Sequence, residues 1–203
     1  LSCTKDVQDS ILADAKRAAV VDIIDIRYWH YKTDGTPYAP LGGLNLAPRQ
    51  HARLTKVGAV NFESTYKAVS EYRTKFPDKA VSFYTYNANY PEMGWAVLMA
   101  GGSLPVLPVK DQEFLKAAAQ MQPQAVKSDK YKVLGKSDIG NIIFAQSEIT
   151  IPVDLKVGKY QLVYINPANG SEEVIGTSIN GSQIFNLQVN KEKTGAYWFR
   201  KIQ

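Results

Sequence analysis

The sequence predicts a mixed α/β region followed by an all-β region, and three observations carry that prediction. A β-branched run, Val20, Val21, Ile23, Ile24 and Ile26, opens a stretch that reads strand, helix, strand, helix, strand, helix as far as Met121. Such an alternation is the signature of successive right-handed βαβ units and a parallel sheet. Past Pro123 the pattern changes to short strands divided by Val157-Gly158, Asn169-Gly170, Asn180-Gly181 and Thr194-Gly195, the spacing of an antiparallel β-sandwich. The expected division is therefore 1–125 for the parallel region and 126–203 for the sandwich.

Taken in order, Thr4 can cap a short helix, with Asp6 in its first turn and Val7, Ile11 and Leu12 on one apolar face. Asp6 and Asp9 read as helix-start and surface residues. Val20–Tyr31 reads as a strand covered on both faces. Side chains alternate along a strand, so Ile24, Ile26 and Tyr28 share one face and Ile23, Asp25, Arg27 and Trp29 the other. Burying Asp25 and Arg27 costs free energy unless they pair with each other or with a ligand. Two readings follow. One is a structural ion pair under an aromatic lid. The other is a site at the carboxyl end of the strand, where α/β folds bind ligands, built from Asp25, Arg27, Trp29 and His30.

Residues 32–60 show no periodicity and carry many turn makers, and a loop of that length inside a domain is often functional. It holds Asn45, Arg49, Gln50, His51 and Arg53, polar groups able to converge on a ligand. Asn61 is the expected cap of a helix to about Phe76. Ala80–Tyr86 is the second strand, with Val81 and Phe83 toward a helix layer and Ser82, Tyr84 and Tyr86 away from it. Pro91 suits the first position of a buried helix that Gly101-Gly102 ends. Leu104–Leu107 reads as a third strand and Lys110–Met121 as a helix. In the second region Trp198 is expected in the sandwich core.

Composition excludes several classes. The net charge of +5 comes without a Lys/Arg block or an RNA-binding signature, so no nucleic-acid partner is expected. No run approaches the ~18 apolar residues of a membrane span. One cysteine, Cys3, excludes an internal disulfide framework and a multi-cysteine metal site. His30 and His51 are the two histidines, and with Asp25 they lack a diagnostic ligand spacing, so neither metal nor cofactor is expected. A ligand or general-base role for either stands beside a structural one. The 12 Tyr, 7 Phe and 3 Trp fit sugar-stacking surfaces and all-β cores alike. The opening LSCT reads like the tail of an earlier strand, so a longer polypeptide is expected to precede Leu1.

Several runs together resemble a known group: TKDVQD at Thr4–Asp9, DIRYWHY at Asp25–Tyr31, APRQHAR at Ala47–Arg53 and GWAVLMAGGS at Gly94–Ser103. They are similar to secreted glycoside-hydrolase-like (β/α)8-barrel proteins of polysaccharide-utilisation families, related to the apiosidase-like families. Tyr160–Glu172, YQLVYINPANGSE, is similar to the carboxyl-terminal module once called a collagen-binding domain in those proteins. The resemblance implies a partial (β/α)8 (TIM) barrel, its last strands and helices, followed by a small antiparallel β-sandwich. It implies a glycoside hydrolase acting on a polysaccharide or oligosaccharide, with a non-catalytic glycan-binding protein on the same scaffold as the alternative.

The implied partners are a carbohydrate and the amino-terminal part of the same polypeptide. The implied location is secreted, periplasmic or at the cell surface. Asp25 and Glu92 are the candidate catalytic carboxylates. Arg27, Trp29, His30, Arg49, Gln50, His51, Tyr84, Tyr86 and Asn87 are the candidate sugar contacts. One departure stands out. The large retaining glycosidase clan has a nucleophilic Glu at the end of barrel strand seven, where this chain has Tyr84, Thr85, Tyr86 and Asn87. Sandwiches joined to barrels commonly just pack against them, so no ligand is expected for residues 130–203.

Overall fold

The computed structural model describes residues 5–26, 31, 34–36, 61–84 and 90–202, apart from the side chains of Tyr90 and Pro91. By contacts the chain groups into two units, Leu1–Val106 and Leu107–Gln203. The boundary thus falls earlier than residue 125, and the helix expected to end the parallel region goes with the antiparallel sheets. Across both units the protein mixes helices with mostly antiparallel strands, and the described strands close no barrel.

In the first unit, helices α1 (Lys5–Ala13) and α2 (Ala15–Ala19) precede β1 (Ile23–Ile26). Helix α3 (Phe62–Lys75), β2 (Ala80–Phe83) and α4 (Tyr90–Met99) follow. Asn61 starts α3 with a full capping box: its side chain accepts from Ser64 N–H, and Ser64 Oγ accepts from Asn61 N–H at 3.1 Å. Gly101 and Gly102 stop α4. The N–H of Gly102 donates to the Val97 carbonyl and that of Gly101 to the Leu98 carbonyl, which is a Schellman motif. Gly101 sits at φ 73, and a Cβ on Gly102 would come within 2.6 Å of Val97 Cγ1. Glycine is required at both.

Strands β1 and β2 pair in parallel, Ile23 with Ala80 through Ile26 with Phe83. One face is sealed. Ile24, Ile26 and Val81 are fully buried with Ala68, Val69 and Tyr72 of α3 and Val97 of α4, with Phe83 packed at the margin. Burial of a side chain such as Ile24 is worth roughly 1.5–3 kcal/mol. The other face is not sealed among the described residues, for Ile23 is 53% exposed. Of the two faces expected to be covered from the β-branched run, the described residues cover the Ile24–Ile26 one.

The third strand expected at Leu104–Leu107 does not form. Leu104 is 88% exposed at φ 55. Pro105 and Pro108 remove two of the N–H groups that a ladder needs. Ser103, just before it, meets β2, its N–H donating to the Val81 carbonyl at 2.6 Å and its Oγ accepting from Val81 N–H at 3.3 Å.

In the second unit α5 (Gln112–Ala118) leads into β3 (Gln122–Gln124), β4 (Tyr131–Lys136), β5 (Gly140–Ala145), β6 (Ile149–Leu155), β7 (Lys159–Ile165), β8 (Glu172–Asn180), β9 (Gln183–Val189) and β10 (Gly195–Lys201). The short strands expected after Pro123 form, as β4 to β10; β3, three residues around Pro123, is an additional one. The sheet order is β3-β4-β5-β10-β7-β8, antiparallel throughout, and β6 pairs with β9 as a second sheet. Side chains from both sheets share one core, among them Ile143, Leu162, Tyr197 and Phe199 from the first and Ile151, Val153, Leu155 and Leu187 from the second.

Trp198 lies on the opposite face of β10, not in that core. Its ring meets Phe114 of α5 edge to face at 5.5 Å, with the Arg200 guanidinium 5.2 Å from the indole centre. Alternation along β10 forces this: Tyr197 and Phe199 face inward, so Trp198 faces out and needs α5 as its cover.

Candidate functional site

The carboxyl ends of β1 and β2 carry the polar groups of the first unit. Parallel register sets Asp25 beside Ser82, and Ser82 Oγ donates to Asp25 Oδ1 at 2.9 Å. Both point away from the helix-covered face, because their neighbours Ile24, Ile26 and Val81 occupy it. The ladder runs one step further, with Tyr84 N–H donating to the Ile26 carbonyl at 2.9 Å. Alternation puts Tyr84 on the Ser82 face, and its side chain is 48% exposed. A carboxylate steadied by a hydroxyl, with a half-exposed phenol one step beyond, can accept hydrogen bonds from a polyhydroxylated ligand.

Tyr31, just past this strand end, is held by a charged cluster on α1 and α3. Its hydroxyl donates to Glu71 Oε2, and Lys67 Nζ lies 4.4 Å from its ring centre. Glu71 also pairs with Lys5 at 2.9 Å and Lys75 at 2.6 Å. Lys5 bridges on to Asp9 at 2.7 Å, and Asp9 accepts from the Tyr72 hydroxyl at 2.6 Å. Burial alone would raise the Glu71 carboxyl, but hydrogen bonds from Lys75, Tyr31 and Lys5 outweigh it and hold the group at about 2. Burial, then the bond to Glu71, pushes the Tyr31 phenol up; burial and Asp9 do the same to Tyr72. Every phenol in the cluster therefore stays protonated and donating. The cluster pins α1 and Tyr31 to α3, one residue beyond the segment that carries Arg27, Trp29 and His30.

The residues predicted for the site separate into three groups. Asp25 and Tyr84 lie at the strand ends. Glu92 is exposed in the first turn of α4, where the helix dipole favours a carboxylate, and no described contact brings it to Asp25. Arg27, Trp29, His30, Arg49, Gln50, His51, Tyr86 and Asn87 lie outside the described residues. The Asp25–Arg27 pair, expected from their spacing, therefore has only its Asp25 end described, and the described partner there is Ser82.

Sequence reasoning missed Ser82 as that partner and treated Asp9 as a plain surface residue. Parallel register, which sequence does not disclose, was needed for the first. The second had a signal in Lys5–Asp9 and Glu71–Lys75, two i,i+4 pairs of opposite charge. No group of three His, Cys, Asp or Glu that could hold a metal occurs among the described residues. No described helix is long and apolar enough to cross a membrane.

Fold and strand-end chemistry define an α/β unit with one helix-covered and one polar sheet face, followed by an antiparallel two-sheet unit. The chain belongs to the family described as a domain of unknown function, DUF6298, whose model matches residues 1–121. No curated protein matches the chain.

Proposed function

We propose that this chain is the carboxyl-terminal portion of a (β/α)8-barrel glycoside hydrolase, secreted, periplasmic or cell-surface, that acts on a polysaccharide or oligosaccharide. The observation that carries the reading is the two-sidedness of the β1–β2 pair. Helices cover the Ile24, Ile26 and Val81 face, while Asp25 and Ser82 occupy the other. In a barrel the first face meets the helix ring and the second meets the interior, with ligands at the carboxyl ends of the strands. The described partner strand of β1 is β2, and the amino-terminal part of the same polypeptide is the proposed source of the further barrel strands.

Glycoside hydrolysis needs a carboxylic acid to protonate the leaving oxygen and a carboxylate to act as nucleophile or base. Asp25 takes one role. Glu92 or an upstream carboxylate takes the other. Tyr84, Tyr86 and Trp29 serve as stacking surfaces, with Arg27, His30, Arg49, Gln50, His51 and Asn87 as hydroxyl partners. Non-catalytic glycan binding is favoured by one specific feature: Tyr84, Thr85, Tyr86 and Asn87 after β2 include no carboxylate.

A panel of plant and microbial oligosaccharides offered to the full-length protein separates the two. Turnover that falls at least a hundredfold in Asp25→Asn meets the first expectation. Binding without cleavage leaves the second. Full activity in Asp25→Asn removes Asp25 from the chemistry, and neither turnover nor binding removes both readings.

A further inference from the structure

The two-stranded sheet of the second unit covers less than the six-stranded sheet presents. β6 and β9 bury the inward side chains of β5, β10 and β7, whereas Tyr131 and Val133 of β4 are only half-buried at the edge of that core. Between β3–β5 and the open edge of β6 lies a cleft of about 470 Å³.

One end of its floor is built from two carboxamides. Gly135 of β4 is the cross-strand partner of Asn141 on β5. Gln124 of β3 reaches over the same glycine, its Nε2 donating to the Gly135 carbonyl at 3.3 Å and the Gln122 carbonyl at 2.9 Å. A Cβ on Gly135 would lie 2.6 Å from Asn141 Oδ1 and 3.3 Å from Gln124 Cγ. The missing side chain is what lets the two amides converge. Among the described residues, neither the Asn141 carboxamide nor Gln124 Oε1 has a protein hydrogen-bond partner. Tyr131 lies four residues along the same face of β4, roughly 13 Å away at the rise of a strand.

The lining indicates the class of ligand. The charged side chains of the lining lie exposed at the rim and are of both signs, Lys156 beside Asp154 at 2.6 Å and Lys136 at 3.7 Å from Asp138, so no single sign of charge marks the cleft for an ionic ligand. A carboxamide both donates and accepts, which suits adjacent hydroxyls, and a half-exposed phenol ring offers a flat apolar surface. An added peptide strand is disfavoured. Pro152 of β6 has no N–H, and with β9 paired on one side its nitrogen faces the open edge. A strand docking there would lose a ladder bond at its centre.

We propose that this cleft is a saccharide-binding site, taking a short oligosaccharide between the Asn141–Gln124 amides and Tyr131. The sequence alone leads to no ligand for this region; the cleft beside the half-buried Tyr131 and Val133 is what points to one. The site lies wholly within the second unit, so it stands or falls apart from the hydrolase reading.

The test is a ¹⁵N NMR titration of the full chain with cellohexaose, xylohexaose and mannohexaose, and with an extended hexapeptide for comparison. At least one saccharide should shift the Gly135 amide and the side-chain amides of Asn141 and Gln124. Asn141→Ala should weaken that saccharide tenfold or more, and Gly135→Ala at least threefold. Gln124→Ala, at an exposed position, gives a second amide deletion should Asn141→Ala misfold. Asp25→Asn should change none of these shifts. Three results overturn the proposal: no saccharide moving the Gly135 and amide signals, affinity indifferent to the amide deletions, or a response to the peptide alone.

Discussion

The two units bury apolar surface by different means. In the second, β4 with β5 and β7 with β8 are neighbours in both sequence and space, and two antiparallel sheets close on one core. In the first, β1 and β2 are four residues each, are separated by a long stretch of chain, and present one sealed face and one that the described residues do not seal. Local pairing closes a core with little loop entropy to overcome. Parallel pairing needs distant segments and a partner for each face. The second unit therefore closes its core with strands near in sequence, while in the first the described residues leave Ile23 half-exposed beside the Asp25–Ser82 bond.

The sharpest test of that difference is core truncation. Phe199→Ala, in the second core, should cost about 3–5 kcal/mol, and Ile24→Ala about 2–5 kcal/mol. Hydrogen exchange followed by mass spectrometry should localise each loss to its own unit. Loss of protection in both units from either substitution would mean that they do not unfold separately.

Acid should act next, and on the first unit. Glu71 is ordinarily half-protonated near 4.5 and in the fold near 2. A carboxylate whose folded value is depressed contributes stability that is complete above about 4.5 and disappears as pH falls toward 2. By linkage the contribution is at most about 3 kcal/mol, and solvent screening of the exposed Lys75 pair makes it smaller. Glu71→Gln should lower stability at pH 6 and flatten the dependence between those limits, read from denaturant midpoints. An unchanged slope would detach Glu71 from the Lys5–Tyr31 cluster.

Smaller effects follow. Asn61→Ala removes one half of a capping box and should cost about 1 kcal/mol, concentrated in exchange at the start of α3. Ile23→Ala should cost no more than about 0.5 kcal/mol, as a half-exposed position does. A loss above 1.5 kcal/mol would mean that the Ile23–Asp25 face is covered, and would break the comparison at its most informative point.

Much of this was legible from residues alone where cause and effect are near in sequence. The Asn61 cap, the Gly101-Gly102 stop and the short strands divided by glycine turns all rest on local conformational chemistry. So does the placing of Ile24 with Ile26 on one face of β1 and of Val81 toward a helix layer, because alternation is a property of the chain. The failures differ in origin, one local and one tertiary. Leu104–Leu107 looked like a strand by hydrophobicity, but Pro105 and Pro108 denied it a ladder. Trp198 looked like sandwich core, yet only the position of α5 could tell which face of β10 had a cover.

The candidate site divides along the same line. Sequence by itself determined that Asp25 would stand on the face opposite the buried isoleucines, since period-two alternation needs no partner to operate. Only tertiary structure decided that Ser82 is its neighbour, that Glu71 holds Tyr31, and that Asn141 and Gln124 meet over Gly135. Each of those depends on strand register or helix docking between segments far apart in the chain, and no local preference encodes which residue will lie opposite which.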